Sequence, residues 1–147
     1  AAYEEGYKYA VSFDADGQMN SNDVMSFINT AEEHDSDLVI GVRSYRNRIC
    51  ENLLSAYGKF RFKITDPLCG MKLYRMSSCK NLTPFDSRNL VGMEMAFKMC
   101  DNNLKVSEIP INIEKRKGES RYGSFLRGEI NILLSLYKSI IYFGLFK

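Results

Sequence analysis

Two carboxylates lie two residues apart where an apolar run ends in a turn. The run Tyr9-Ala10-Val11-Ser12-Phe13 is followed directly by Asp14-Ala15-Asp16-Gly17-Gln18. In an extended segment, residues two apart point to the same side, so Asp14 and Asp16 can converge on one cation, and Gln18 can offer a third oxygen. Two ionised carboxylates so close together repel each other unless a cation or a shared proton lies between them. The spacing therefore predicts a divalent-metal site, with a pair of solvated turn carboxylates as the alternative.

Two known chemistries use an acidic turn of this kind. An EF-hand needs glycine at the sixth loop position and glutamate at the twelfth, which are Met19 and Met25 here, so a calcium loop is excluded. The turn also resembles the nucleophile motif of haloacid-dehalogenase-type phosphatases, with Asp14 as nucleophile and Asp16 as acid. That family normally has threonine or valine where this chain has Gln18, and its later Gly-Asp-x-x-x-Asp motif has no counterpart in the sequence. The phosphatase stays an alternative.

The elements that must position this turn alternate between strand and helix. Residues 8–13 and 37–43 form apolar runs typical of buried strands, and Ser21-Asn22-Asp23 begins an amphipathic helix between them. Short links between such elements predict that the two strands pair in parallel through a right-handed crossover. Ligands collect at the carboxyl ends of parallel strands, where the acidic turn and Arg43 both lie.

The second half of the chain continues this alternation. Its predicted elements are a helix over 47–62, a short strand over 69–74 with Gly70 at a close approach of backbone or ligand, a helix over 92–102, a strand over 104–113 and a helix over 125–146. The predicted apolar stripe of the helix over 47–62 consists of Ile49, Leu53, Ala56, Tyr57 and Phe60. Pro110 cannot donate a ladder hydrogen bond, which places its strand at a sheet edge. The fold class that follows is α/β, in one domain that spans residues 1–147.

The last helix, over 125–146, is strongly apolar. Its predicted apolar face consists of Leu133, Leu136, Tyr137, Ile140 and Ile141, and its predicted polar flank of Asn131, Ser135, Lys138 and Ser139. These polar residues interrupt the run of about 20 apolar residues that a spanning helix needs. The pattern favours an ordinary packing helix over one that lies on a membrane surface.

Composition limits the possible partners and the compartment. Among 147 residues, Lys+Arg 20 nearly balance Asp+Glu 18, so a net charge of +2 gives no field that would recruit nucleic acid. Four widely spaced cysteines and a single histidine make a poor zinc set, which predicts reduced, buried thiols and a cytoplasmic location. Residues 1–6 read as the last turn of a helix with a glycine stop. We therefore expect that a further segment precedes Ala1.

Four motifs in order along the chain resemble family 2 glycosyltransferases. They are Asp14-Ala15-Asp16-Gly17-Gln18, Asp37 to Arg43, Asp66-Pro67-Leu68-Cys69-Gly70 with its continuation to Arg75, and Glu108 to Ile111 followed by Arg116 to Arg121. The likeness is greatest to the branch of dolichyl-phosphate mannose and polyisoprenyl-phosphate sugar synthases. It implies the metal- and acceptor-binding half of a GT-A fold, a Rossmann-like mixed sheet flanked by helices. The half that binds the nucleoside would precede residue 14, so weak or absent transfer is expected from this chain alone.

The resemblance also implies roles for individual residues. Asp14, Asp16 and Gln18 would bind Mg²⁺ or Mn²⁺ on the diphosphate of a UDP- or GDP-linked sugar donor. Arg43 would contact donor phosphate, and a loop with Arg116, Ser120 and Arg121 would close over the donor.

Asp66 matches the aspartate that the family places near the acceptor. In an inverting transfer to a glycan hydroxyl it would take the proton, whereas a lipid phosphate is already anionic and Asp66 would then only orient it. Glu94 lies in a helix where the family often has glutamate, although Glu94 and Lys98 are also spaced as a surface pair. Arg46 and Arg48 would meet phosphates or solvate a helix start. A lipid acceptor would place the protein at the inner face of the membrane.

Overall fold

The computed structural model describes residues 2–14, 19–46, 48–82, 84, 87–90, 92–113 and 125–146. Within these ranges the elements in chain order are β1 (Tyr9–Ser12), α1 (Asp23–Glu33), β2 (Leu38–Arg43), α2 (Ile49–Phe62), β3 (Lys72–Arg75), α3 (Met76–Cys79), α4 (Glu94–Asp101), β4 (Val106–Ile111) and α5 (Phe125–Phe143). The single turn α3 is not predicted from the sequence. No helix in the described part of the chain is long and apolar enough to cross a membrane.

The sheet is mixed and has the strand order β1-β3-β2-β4. The prediction that β1 and β2 pair directly is wrong, because β3 lies between them and is antiparallel to both. The two strands still run in the same direction. Leu73 and Tyr74 at the centre of β3 are fully buried, whereas every residue of β1 is only half-buried, because β3 takes an inner position in the described sheet and β1 an edge position. The same half-burial corrects the prediction of a buried first strand.

The prediction for β4 is confirmed. This strand pairs in parallel with β2 from Leu38↔Val106 to Arg43↔Ile111 and forms one edge of the described sheet. Pro110 occupies that edge without interrupting the ladder. Because β1 and β2 are both antiparallel to β3, their carboxyl ends lie at the same end of the sheet. The sequence places the acidic turn and Arg43 at these two strand ends.

The helices cover the sheet around an aromatic cluster. Phe27 and Ala31 of α1 are fully buried, as predicted. Phe62 of α2 stacks on Phe97 of α4 with ring centroids 4.3 Å apart, and Phe143 of α5 meets both rings edge-on. Rings packed in this way add stabilisation beyond their buried area. The cluster therefore holds α2, α4 and α5 together.

The faces of α2 and α5 differ from the predicted ones. The apolar residues expected to make the helical stripe of α2 are largely exposed at Ile49, Leu53 and Phe60. In α5, Leu133, Tyr137 and Ile141 are exposed, whereas the predicted polar flank is buried at Ser135 and Ser139. Small side chains let the two helices approach closely, since the hydroxyl of Tyr57 donates to the backbone oxygen of Ser139 at 3.1 Å. Close packing between the helices thus outweighs the apolar pattern.

The cysteines and the histidine are placed as expected. None of the four cysteines, all of which lie in the described part of the chain, forms a disulfide; Cys50, Cys69 and Cys79 are buried, and Cys100 is partly buried. His34 is exposed at the C-terminal end of α1. Neither residue type takes part in the site described below.

Candidate active site

Asp14 lies directly against the turn that follows Asp66. A Cβ built on Gly70 would overlap the carboxylate of Asp14, so a larger residue at position 70 would displace that side chain. The hydroxyl of Ser12, the last residue of β1, donates to the backbone oxygen of Gly70 at 2.8 Å and fixes the approach. Two sequence motifs that are more than fifty residues apart thus meet at the carboxyl end of β1. The sequence predicts a close approach of backbone or ligand at Gly70, whereas the group that approaches is the side chain of Asp14.

Asp66 is almost fully buried and is held by Arg43 from the end of β2. Its Oδ2 accepts from the backbone N–H of Arg43 at 3.1 Å and from Nε at 2.8 Å, and its Oδ1 accepts from Nη2 at 2.9 Å. A bidentate pair of this kind is among the strongest polar contacts in proteins. Both oxygens of Asp66 are therefore occupied by one arginine.

Arg43 has a second carboxylate partner, which the sequence analysis does not identify. Nη2 of Arg43 also donates to Glu51 of α2 at 3.0 Å. Arg43 was predicted to contact donor phosphate, but in the structure its guanidinium lies between Asp66 and Glu51 and is only 14% exposed. Glu51 sits in the first turn of α2, where a carboxylate is unremarkable, so the pattern alone gives no sign of this role.

The backbone beside Asp66 is fixed from two further elements. Glu108 of β4 accepts from the N–H of Thr65 at 2.5 Å, and the hydroxyl of Ser55 donates to the Thr65 oxygen at 2.5 Å. Arg46 also donates to that oxygen, at 3.0 Å. The segment at Thr65 and Asp66 is thus held by β2, β4, α2 and the loop before α2. Such redundancy fixes the position of Asp66 before any ligand arrives.

These contacts determine the protonation of Asp66. Burial alone would raise its pKa, but the hydrogen bonds and the charge of Arg43 outweigh burial and lower it. The pKa of Arg43 is raised by the same pair against the effect of burial. Burial raises the pKa of Glu51, and the charge of Arg43 opposes that rise. Asp66 is consequently an ionised, charge-neutralised carboxylate with little basicity.

Lys72, at the start of β3, is buried near the two aspartates. Its ammonium donates to the backbone oxygen of Cys69 and, at 3.5 Å, to that of Gly92. Burial lowers its pKa, and the charges of Asp66 and Asp14 oppose that effect. Lys72 therefore holds the turn that carries Gly70 through the backbone oxygen of Cys69. The only sequence signal for it is a lysine within the otherwise apolar run Cys69 to Tyr74.

Glu94 is not the surface residue that its spacing from Lys98 suggested. The pair with Lys98 exists at 2.6 Å, but the side chain of Glu94 is fully buried. Its carboxylate also accepts from the N–H groups of Ser87 and Arg88, both at 2.8 Å, and from the Ser87 hydroxyl. Burial would raise the pKa of Glu94, but these donors lower it to about 2. The guanidinium of Arg88 also stacks on Tyr142 of α5. Glu94 therefore anchors Ser87 and Arg88 between α4 and α5.

The remaining arginines differ from each other. Nε of Arg46 lies 4.0 Å from Asp66 Oδ1 and, among the described residues, is buried without a hydrogen-bond partner. The guanidinium of Arg48 instead packs against Gly128 of α5. Arg46 therefore belongs to the site, while Arg48 lies at the junction of α2 and α5.

Five predicted site residues lie outside the described part of the chain. They are Asp16, Gln18, Arg116, Ser120 and Arg121. Among the residues that the structure does describe, no group of three histidine, cysteine, aspartate or glutamate side chains could hold a metal ion. The structure thus brings together Asp14, Arg43, Arg46 and Asp66 from the predicted set and places Arg48 and Glu94 elsewhere.

The chain was also compared with known proteins. No family model matches it, and no curated protein does. Its structure is similar to that of glucosyl-3-phosphoglycerate synthase from Mycobacterium tuberculosis in complex with phosphoglyceric acid, with a TM-score of 0.60 at 14% sequence identity. The match covers 90% of this chain and 51% of that one, so the chain spans about half the length of its neighbour. The neighbour is a glycosyltransferase of the GT-A type. The predicted fold class, a mixed α/β sheet of GT-A type flanked by helices, is confirmed.

Proposed function

We propose that the chain is the metal- and acceptor-binding part of an inverting glycosyltransferase. It would transfer a sugar from a UDP- or GDP-linked donor to a lipid-phosphate or glycan acceptor. The observation that carries this proposal is the contact between the Asp14 carboxylate and Gly70 of the Asp66 turn. On a fold of GT-A type, that contact joins the acidic motif to the acceptor motif. The two motifs are otherwise related only by their order in the sequence.

The residues at the end of β1 suit a hard divalent cation. Asp14 is exposed, and its carboxylate oxygens are the ligands that Mg²⁺ and Mn²⁺ prefer. We propose that Asp14 binds the ion together with Asp16 and Gln18. A bound ion would neutralise the charge that develops on the departing nucleoside diphosphate. Arg116, Ser120 and Arg121, which precede α5 in the sequence, are proposed to contact the donor phosphates.

The state of Asp66 bears on the choice of acceptor. General base catalysis is most effective when the pKa of the base lies near the working pH. Asp66 has a lowered pKa, and both of its oxygens accept from Arg43, so it is poorly suited to take a proton from a glycan hydroxyl. An acceptor phosphate is already anionic and needs no base. We therefore favour a lipid-phosphate acceptor and assign Asp66 and Arg43 to positioning, with the unsatisfied Arg46 Nε available to an anion.

Calorimetric titration of Mn²⁺ with inorganic diphosphate, UDP and GDP tests the metal site. Inorganic diphosphate is included because it tests the metal grip without a pocket for the nucleoside. We expect Mn²⁺-dependent binding that weakens at least about tenfold in Asp14→Asn, since one charged ligand is lost. Glu33→Gln, which removes an exposed carboxylate of α1, is the matched control and should bind like the wild type.

Two results would contradict the proposal. One is the absence of Mn²⁺-dependent binding of all three probes, which would leave a glycosyltransferase-like binding module without catalysis. The other is a beryllium fluoride adduct on Asp14, because that adduct mimics an aspartyl phosphate and would indicate the phosphatase. We expect sugar transfer by these 147 residues alone to be weak or absent, because they match only about half of the neighbour's chain.

A further inference from the structure

Glu51 is a carboxylate that the charge of Arg43 alone does not require. It lies in the first turn of α2, its side chain is 9% exposed, and it accepts from Nη2 of Arg43 at 3.0 Å. Arg43 already donates Nε, Nη2 and its backbone N–H to Asp66, which neutralises its single positive charge. Burying a second carboxylate beside the same guanidinium costs free energy unless another cation compensates it.

That second cation is Arg46. Its Nε lies 4.0 Å from Oδ1 of Asp66, and its Nη2 donates to the backbone oxygen of Thr65 at 3.0 Å. Two guanidinium groups therefore face one turn, and the carboxylates of Asp66 and Glu51 match them in number. Asp66 alone would leave one positive charge in excess. Two arginines with an excess positive charge form a site that favours phosphate groups.

The other charged groups around this turn do not alter the balance. Lys72 and Glu108 hold its backbone and contribute one ionisable group of each sign. The charge of Arg48 stabilises the ionised form of Glu51 and acts equally on Glu129 of α5. The net charge that an anion meets at the turn thus depends on Glu51.

An unpaired donor of Arg46 marks where an anion would bind. Among the described residues, Nε of Arg46 is buried without a hydrogen-bond partner, although the side chain as a whole is 20% exposed. A buried donor without a partner costs free energy, which an acceptor oxygen of a ligand would recover. A ligand oxygen at that point would be attracted by the two guanidinium groups and repelled by the two carboxylates.

We propose that Glu51 withholds Arg43 and Arg46 from free anions. Phosphate groups then bind beside Arg46 only when another positive charge enters with them. In the proposed function that charge is the divalent cation at Asp14, so Glu51 makes the binding of a phosphate-bearing substrate depend on the metal. This consequence rests on the proposed function, whereas the effect of Glu51 on anions rests only on the contacts of Arg43, Arg46 and Asp66.

Calorimetric titration with inorganic diphosphate tests the proposal on the full chain, once in EDTA and once with Mn²⁺. Glu51→Gln keeps an oxygen that can accept from Arg43 but loses the charge, so the variant should fold. We expect it to bind diphosphate at least about tenfold more tightly than the wild type in EDTA, because a nearby negative charge is removed. The gain should be smaller with Mn²⁺, which supplies positive charge itself. Burial raises the pKa of Glu51, so titration at about pH 8 keeps the wild-type carboxylate ionised.

Asp101→Asn is the matched control. It removes the same charge from another arginine pair, since Asp101 pairs with Arg61 at 2.6 Å. Arg61 lies about 15 Å further along α2 than Glu51, which is more than the screening length in a buffer of physiological ionic strength. This variant should therefore bind diphosphate in EDTA as the wild type does.

Two further variants separate charge from position. Arg46→Met in the Glu51→Gln background removes the unpaired donor, so the tighter binding in EDTA should be lost. Glu51→Asp keeps the negative charge and should bind as weakly as the wild type. Urea denaturation of each variant establishes that it is folded under the conditions of the titration.

Three results would overturn the inference. The first is equal binding in EDTA by the wild type and folded Glu51→Gln. The second is the same gain in Asp101→Asn, which would reduce the effect to net charge. The third is a gain that survives Arg46→Met, which would place the anion elsewhere. A gain in EDTA without any Mn²⁺-dependent binding by the wild type would instead support the role of Glu51 and contradict the proposed metal site.

Discussion

Asp14 and Asp66 both lie at the turn that follows Asp66, but they differ in exposure and in their partners. Asp66 is 1% exposed, and its oxygens are occupied by Arg43, which in turn pairs with Glu51. Asp14 is exposed beyond the end of the half-buried edge strand β1, and its carboxylate lies against Gly70. A carboxylate whose charge is already neutralised contributes to the architecture, whereas an exposed one can accept a cation. The contrast supports the proposal that Asp14 binds the cation and that Asp66 shapes the site.

Arg43→Met should give the largest effect on stability. The substitution leaves Asp66 and Glu51 buried without their common cation, and breaking a buried pair in this way costs about 3–5 kcal/mol of unfolding free energy. Urea denaturation measures the change. Lys8→Met is the matched control, because the pair of Lys8 with Glu32 is exposed and screened by solvent, so its loss should change the stability little. A loss below about 1 kcal/mol for Arg43→Met would contradict the structural role of Asp66.

Glu94→Gln extends the comparison to another buried carboxylate. Its pKa is lowered to about 2 in the folded protein, so its stabilising effect is fully present above its ordinary pKa of 4.5 and is lost as the pH falls through about 2. We expect the variant to lose about 3 kcal/mol at pH 7. The difference from the wild type should shrink between about pH 4.5 and 2. Denaturation at a series of pH values measures it, with Glu33→Gln as an exposed control, and a difference that does not depend on pH would count against the ionised cluster.

Gly70→Ala should separate stability from binding. The added methyl group overlaps the Asp14 carboxylate, which is the flexible end of an exposed side chain, so the expected loss of stability is only about 1 kcal/mol. The displaced carboxylate should nevertheless weaken Mn²⁺-dependent diphosphate binding about tenfold. Gly41→Ala is the informative partner, because its methyl group would press on Cys69, Ile111 and Phe27 in the core. Gly41→Ala should lose more stability than Gly70→Ala, and the reverse order would mean that Asp14 is held as rigidly as the core.

Asp14→Asn should have the smallest effect on stability. An exposed carboxylate contributes within about 0.5 kcal/mol to folding, so the urea midpoint should stay close to that of the wild type. A loss as large as that of Arg43→Met would erase the distinction between the two aspartates.

Much of this arrangement can be predicted from the sequence. Apolar periodicity predicts every strand and the four longer helices of the described part of the chain, because each of these elements buries one face or both. The order of the strands is not legible, since the pattern does not show that β3 would insert between β1 and β2. The faces of α2 and α5 were also predicted wrongly, because Ser135 and Ser139 bond within their own helix and can be buried.

The site shows the same limits. Asp14, Gly70 and Asp66 stand out because each lies in a short motif of acidic residues and glycine next to a predicted strand. The partners of Asp66 do not stand out, because Glu51 and Glu108 look like ordinary surface glutamates until long-range packing brings them to Arg43 and Thr65. Whether Arg43 meets a phosphate or a carboxylate is likewise decided by the fold and not by its motif.

The most direct test is to locate Mn²⁺ by anomalous diffraction in crystals grown with Mn²⁺ and UDP or GDP. We expect an anomalous peak within coordinating distance of a carboxylate oxygen of Asp14, with the nucleotide diphosphate on its other side. We also expect that Asp66 remains paired with Arg43. A nucleotide bound without a peak at Asp14, or a peak coordinated by Asp66 in place of Asp14, would contradict the proposal that Asp14 binds the metal.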